Sequence, residues 1–183
     1  MISNIFDKNI IRILTYFLIS PGSRYTRKEI KEKTEMNNIP LDSTLTKLKL
    51  LKLIIESKKL YALNFSIEKN KEIFNIISNE YKSFNIPYKI FNLLVELGEK
   101  LSRNKYVKSV MLFGSYAKLI QTENSDIDIA VIIEKKLKQQ IDKITEQINK
   151  INKKIELHFF EEKEMKEKDP VIKDVLRNGK LIL

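Results

Sequence analysis

The stretch SDIDIAVII, residues 125 to 133, constrains this chain more than any other segment. Its apolar residues predict a buried strand, yet two carboxylates stand at its start, one residue apart. Side chains alternate along a strand, so Asp126 and Asp128 share one face, about 6.5 Å apart along the chain, while Ile127 and Ile129 take the other. At an effective dielectric of about 20, two carboxylates about 6 Å apart repel by a few kcal/mol. A cation held between them removes that cost. Oxygen-only ligands select a hard ion, which makes Mg²⁺ or Mn²⁺ the expected metal.

Upstream, YVKSVMLF at 106 to 113 predicts another strand, followed by GSYAK at 114 to 118 and a polar loop, LIQTEN, at 119 to 124. A glycine at a strand end lets backbone approach a ligand closely, and a short helix after it turns its first N–H groups toward an anion. Gly114 and Ser115 therefore read as a phosphate site, with the Lys118 ammonium one turn on. A nucleoside triphosphate held there, with its metal oxygens over Asp126 and Asp128, is placed for phosphoryl or nucleotidyl transfer. A Gly-Ser pair is a common turn, and Asp-x-Asp occurs by chance on surface strands. Their joint order, strand, GS, loop, DxD and strand, is far more specific.

That order, in GSYAKLIQTENSDIDIAV, resembles the signature of the DNA polymerase beta superfamily of nucleotidyltransferases. The resemblance spans roughly residues 88 to 183 and is nearest to the small, single-domain members called minimal nucleotidyltransferases. One departure is Leu119, where many small members carry Gly. The resemblance implies a third carboxylate on a later strand. Glu156 in IELHFF is the first choice, and Glu161 or Glu162 takes its place if the register is shifted. It further implies that Asp126 and Asp128 hold two metal ions and Glu156 the second of them, with an NTP, expected to be ATP, as substrate. The acceptor is expected to be a hydroxyl. Small relatives often accompany a helical partner protein in toxin–antitoxin pairs and can adenylylate it, so such a partner is one expected acceptor. His158 shares the Glu156 face by alternation and reads as a partly exposed strand residue rather than a catalytic one. Tyr116 reads as a packing residue, with stacking on a base or ribose as the alternative.

The first half has a different pattern. Residues 5 to 19 predict an amphipathic helix ended by SPGS. Thr26, with Glu29 three residues later, predicts a capping box that opens a second helix. A third helix runs from about Pro40, with leucines at 41, 45, 48 and 51 on one face, and a strand–turn–strand pattern follows at 53 to 65. The run Leu45, Leu48, Leu51, Leu53, Ile54 resembles the passage from recognition helix into wing of a winged helix-turn-helix domain, although Lys52 stands where many members have Gly. The resemblance implies that Asn38, Ser43, Thr46 and Lys47 face a DNA major groove and that Lys58 and Lys59 at the wing tip meet backbone phosphate. The full chain has 34 Lys and Arg against 24 Asp and Glu, a net +10, which suits a polyanionic partner or a solvated lysine surface. Residues 1 to 66 hold 12 of the cations and only 6 of the acids, so the excess is concentrated here. Asp42, on the same helix, opposes phosphate contact. A dimerisation or docking role is the alternative for this domain.

The expected organisation is thus an α+β protein in three parts. A winged helix-turn-helix domain covers residues 1 to 66, a connecting helix 67 to 86, and a nucleotidyltransferase-type mixed β-sheet flanked by helices 87 to 183. The absence of cysteine excludes a disulfide framework, a thiolate zinc site and a cysteine nucleophile, and fits a cytoplasmic protein. The apolar run at the start is broken by Asp7, Lys8 and Arg12, so neither a signal peptide nor a membrane span is expected. A DNA-binding regulator whose second half senses nucleotide, or is catalytically inert, is the alternative function.

Overall fold

A computed structural model describes residues 6–166 and 169–183, and the chain divides into two compact units between Ser83 and Phe84. The first unit opens with α1, Lys8–Ile19, capped by the Asp7 carboxylate, which accepts from the Asn9 N–H at 2.8 Å. The expected start of this helix at residue 5 lies outside the described residues. A two-residue strand β1, Tyr25–Thr26, leads into α2, Arg27–Thr34, and the Thr26–Glu29 capping box is present in full. The third helix, α3, spans Asn38–Leu50, two residues longer at its start than the sequence pattern predicts. Pro40 falls in its first turn, where a missing N–H costs nothing. Leu41, Leu45 and Leu48 of α3 are buried together with Ile10, Leu14 and Phe17 of α1 and Ile30 of α2.

Strands β2, Ile54–Ser57, and β3, Leu60–Leu63, form an antiparallel hairpin, and β1 adds to β3 to complete a three-stranded sheet. The two residues between paired Ser57 and Leu60 are Lys58 and Lys59, with φ of 51° and 64°. Positive φ at both central positions is the type I′ hairpin turn, usually made by Asn-Gly. Lys52 also has positive φ, 55°, the left-handed backbone that glycine favours. The turn holds without glycine because the Lys52 carbonyl accepts from the side-chain amides of Asn64 at 2.9 Å and Asn70 at 2.8 Å. Leu53 N–H returns to the Leu48 carbonyl at 3.0 Å, closing the end of α3. Asn70 belongs to α4, Glu68–Phe84, at whose end the two units divide.

The second unit holds a four-stranded mixed sheet. After α5, Tyr88–Ser102, come β4, Val107–Leu112; α6, Gly114–Lys118; β5, Ile127–Ile133; α7, Lys138–Asn149; and β6, Ile155–Glu161. A 3-10 turn, Glu164–Lys166, precedes α8, Pro170–Asn178, and the chain closes with β7, Lys180–Leu181. The strand order is β6-β5-β4-β7, with β5 and β6 parallel and the other pairs antiparallel. Helices α5 and α7 pack on the sheet through β4 and β6.

From residue 161 the sequence EEKEMKEKDPVIKDVLRNGKLIL predicts mostly helix with a break at Pro170, and the structure departs from that. Pro170 instead begins α8 at its first position, where its fixed φ is helical, and Asp169 caps the helix by accepting from Val171 and Ile172. Part of the expected tail helix, residues 167 and 168, lies outside the described residues. Lys180 and Leu181 then pair with Leu112 and Met111 as an edge strand. Two residues are too few to show a period, so nothing in the sequence marks them as a strand. Among the described residues no helix is long and apolar enough to cross a membrane.

Candidate metal and nucleotide site

Strand β5 is buried along nearly its whole length, and its two faces differ. Ile127, Ile129, Val131 and Ile133 fill one face. On the other, Asp128, Ala130 and Ile132 lie opposite Glu156, His158 and Phe160 of β6, because the parallel register pairs them directly. Val175 of α8 packs over Ala130, Ile132 and Phe113, with Met111, Phe160 and Met165 at the margin of this cluster. The apolar end of this face is thereby covered. Its first positions keep Asp128 and Glu156, with His158 next to them.

His158 Nε2 lies 3.7 Å from the Asp128 carboxylate and 3.6 Å from that of Glu156. Both separations are too long for hydrogen bonds. Nε2 is buried and has no hydrogen-bond partner, while the Phe113 ring meets the imidazole edge-on with centroids 5.0 Å apart. One donor atom from each of Asp128, Glu156 and His158 falls within 4.8 Å of the others. Ligands of one octahedral ion lie about 3 to 4.2 Å apart when each bond is about 2.1 Å, so a small inward adjustment lets the three share a cation. The orphaned nitrogen and the two carboxylates therefore fit a divalent metal. Asp126 stands just before β5, exposed and outside this cluster. Among the described residues no Lys or Arg comes within ion-pair distance of Asp126, Asp128 or Glu156.

That arrangement pushes the Asp128 carboxyl above the usual aspartate range. Burial is the largest cause, and repulsion from Glu156 and Asp126 adds to it, while His158 offsets part of the effect. A cation placed there would favour the ionised form.

Gly114 is fixed by this carboxylate. Its φ is +67°, and a Cβ on it would collide with Asp128 Oδ2, so the position needs glycine both for backbone freedom and for space. The Phe113 N–H donates to the Asp128 carbonyl at 3.0 Å, which ties the GS segment to β5. Ser115 follows, half-buried, and Tyr116 is buried. The Lys118 ammonium is paired with Asp174 of α8 at 2.8 Å. Burial works to raise the Asp174 carboxyl, yet Lys118, Asn178 and the Gly114 backbone together hold it below the usual range. Two of the groups expected to receive phosphate, the Gly114 N–H and Lys118, thus already face an internal carboxylate. Leu119 ends α6 with φ 61°, a left-handed conformation that glycine favours. Ser125 secures the following loop by accepting from the Thr122 N–H at 2.9 Å. Glu161 and Glu162, the alternative third acids, lie away from the cluster. Glu161 accepts from the Lys136 N–H at 2.9 Å and pairs with Lys163 at 2.8 Å.

In the first unit, Ser43, Thr46 and Lys47 are exposed on α3, and Lys58 and Lys59 are exposed at the hairpin tip. Lys47, Lys58 and Lys59 have no carboxylate partner among the described residues. Asn38 is exposed and its side-chain oxygen accepts from Arg27 at 3.2 Å. Asp42, on the same helix, is paired: Arg27 grips its carboxylate with two hydrogen bonds of 2.6 and 2.8 Å, which lower its pKa.

Two residues of the second unit escape the sequence reading. His158 is half-exposed as expected, but alternation together with the parallel register also sets it between two carboxylates, and only the alternation is visible in the sequence. Asp174 sits on a helix far along the chain, and no local pattern connects it to Gly114. No curated protein matches the chain. Residues 96–183 match the family model described as Polymerase beta, Nucleotidyltransferase, and that match supports a nucleotidyltransferase domain of the polymerase beta superfamily in this half of the chain.

Proposed function

We propose that the second unit transfers a nucleoside monophosphate from an NTP, expected to be ATP, to a hydroxyl acceptor in a reaction dependent on Mg²⁺ or Mn²⁺. The observation that carries this reading is the convergence of Asp128, Glu156 and His158, without a lysine or arginine partner among the described residues, beside a glycine packed flush on the Asp128 carboxylate. Asp126 and Asp128 hold the metal ions and Glu156 joins them on the acceptor side. Bound there, divalent cations neutralise the triphosphate and make the acceptor hydroxyl easier to deprotonate. Gly114 and Ser115 receive phosphate oxygens, and Lys118 adds its charge once a nucleotide displaces Asp174. The acceptor hydroxyl gives its proton to solvent, its oxygen forms a bond to the α-phosphorus, the bond from that phosphorus to the bridging oxygen breaks, and pyrophosphate leaves. A hydroxyl on a small helical partner protein, as in toxin–antitoxin pairs, is the acceptor class to try first.

The test is incubation of the full chain with α-labelled NTP, Mg²⁺ or Mn²⁺, and candidate acceptors. Pyrophosphate release with label transfer is expected, and Glu156→Gln should lower transfer by orders of magnitude while NTP binding changes less. NTP binding with metal but no label on the protein itself, a partner or RNA would favour a nucleotide sensor instead. The contact of Asp174 with Lys118, which a triphosphate would have to break, is the observation that favours that second reading.

For the first unit, the proposal is a winged helix that binds DNA through Asn38, Ser43, Thr46 and Lys47 on α3 and through Lys58 and Lys59 at the wing tip. Affinity should fall steeply with salt, by about one unit of log-log slope per phosphate contact, and replacing Lys58 and Lys59 with Ala should flatten the slope. Exposed Ile39 and Leu50 on α3 instead suit a protein contact. Binding independent of salt, or none at low salt, would favour that role.

A further inference from the structure

We propose that His158 is a direct nitrogen ligand of the divalent cation, and that it biases the site toward a first-row transition ion such as Mn²⁺ over Mg²⁺. The inference rests on the metal-dependent reading of the same site and adds a ligand to it.

Two features converge on His158 Nε2. The atom is buried and makes no hydrogen bond, a costly state for an imidazole nitrogen unless something else occupies it. It is almost equidistant from a carboxylate on its own strand and one on the neighbouring strand, at 3.6 and 3.7 Å. An imidazolium pairing with a carboxylate would close on one of them at about 2.8 Å, the length of a charge-assisted hydrogen bond. Staying between the two is instead the position of a third ligand around a shared centre.

The surroundings hold the ring in that place. Phe113 meets the imidazole edge-on, and the residue paired with His158 across the sheet is Ala130, whose methyl group leaves the ring room over the strand. Mg²⁺ takes oxygen ligands in a near-ideal octahedron, whereas imidazole nitrogen suits first-row transition ions. Exchanging one oxygen for nitrogen therefore strengthens Mn²⁺ binding relative to Mg²⁺.

The chain contains one histidine, so an imidazole signal from a bound metal has one possible source. Mn²⁺ added to tag-free full-length protein, read by pulsed electron paramagnetic resonance, should show a nitrogen hyperfine coupling typical of a bound imidazole. Titration of the free Mn²⁺ signal gives the affinity, and competition with Mg²⁺ gives the preference. His158→Gln should abolish the nitrogen coupling and weaken Mn²⁺ by at least about tenfold, since losing even an outer partner of a ligand costs that much. Mg²⁺ affinity should change less. If His158→Gln fails to fold, the wild-type coupling decides alone.

Mn²⁺ that binds, and is lost in Asp128→Asn, yet shows no nitrogen coupling would overturn this inference while leaving the metal-dependent reading in place. An Mn²⁺-to-Mg²⁺ preference identical in wild type and His158→Gln would do the same. A wild-type protein that binds no Mn²⁺, alone or with ATP, would overturn both.

Discussion

Asp42 in the first unit and Asp128 in the second are both aspartates beside other polar groups, yet their carboxyls shift in opposite directions. Asp42 is exposed and gripped by Arg27, whose hydrogen bonds hold its pKa below the usual range. Asp128 is partly buried, faces Glu156 and Asp126, and is pushed up by desolvation and repulsion. Elsewhere in the chain Glu56, Glu146, Glu164 and Asp174 each have a lysine within 2.8 Å. In a protein with a net charge of +10, a convergent cluster of acids that has no Lys or Arg partner among the described residues is informative. Each of those four carboxylates is neutralised by a lysine of the chain itself. Among the described residues the cluster on β5 and β6 has no such lysine, and the proposed metal would take that place.

The comparison is tested most severely by removing the Asp128 charge. Asp128→Asn should cost at least about tenfold in Mn²⁺ affinity, measured by calorimetry, and should abolish nucleotidyl transfer. In metal-free buffer the same change should raise the melting temperature at neutral pH. A group whose folded pKa is raised contributes stability that is complete below its unfolded pKa and is lost as pH rises through the folded value. Wild type therefore carries the unfavourable charge at neutral pH, the variant does not, and the two melting curves should converge as pH falls through the folded pKa of Asp128. A variant less stable than wild type without metal would show that Asp128 is satisfied internally.

Gly114→Ala comes next. An L residue at its positive φ costs about 1 to 2 kcal/mol, and the added methyl group also displaces the Asp128 carboxylate. Both a lower melting temperature and weaker metal binding are expected. At the other end of α6, Leu119→Gly removes the same backbone strain without touching the acids. It should stabilise by up to about 1 kcal/mol and leave metal affinity unchanged. Asp42→Asn should have the smallest effect, with the opposite sign to Asp128→Asn. Asp42 has a lowered pKa, so its contribution is present above the unfolded pKa and is lost as pH falls through the folded one. The variant should be slightly less stable at neutral pH, and the gap should close in acid.

Much of this site was legible in the sequence because its chemistry depends on short-range order. The GS pair, the two aspartates and the alternation that leads to Glu156 all lie within strands or at their ends, where a period of two fixes each face. The capping box at Thr26 was legible for the same reason, since every partner lies within three residues. What the sequence did not show depends on contacts across long separations. The Asp174 pairing with Lys118, the edge strand at Lys180–Leu181 and the place of His158 between two acids all require the sheet to be assembled first. The glycine positions gave a mixed lesson. Lys52 and Leu119 adopt the left-handed backbone that glycine favours, so composition at those points conceals the turn rather than removing it. At Lys52 the amides of Asn64 and Asn70 hold the turn from a distance.

The central claim is that the acids on β5 and β6 bind nucleotide through a metal, and one titration addresses it directly. ATP is added to the full chain by calorimetry with Mg²⁺, with Mn²⁺ and with EDTA, for wild type and for Asp128→Asn. Binding that requires a divalent cation in wild type, and that loses most of this metal-dependent gain in the variant, is the predicted result. Equal ATP affinity with metal and with EDTA, unchanged in Asp128→Asn, would contradict the account.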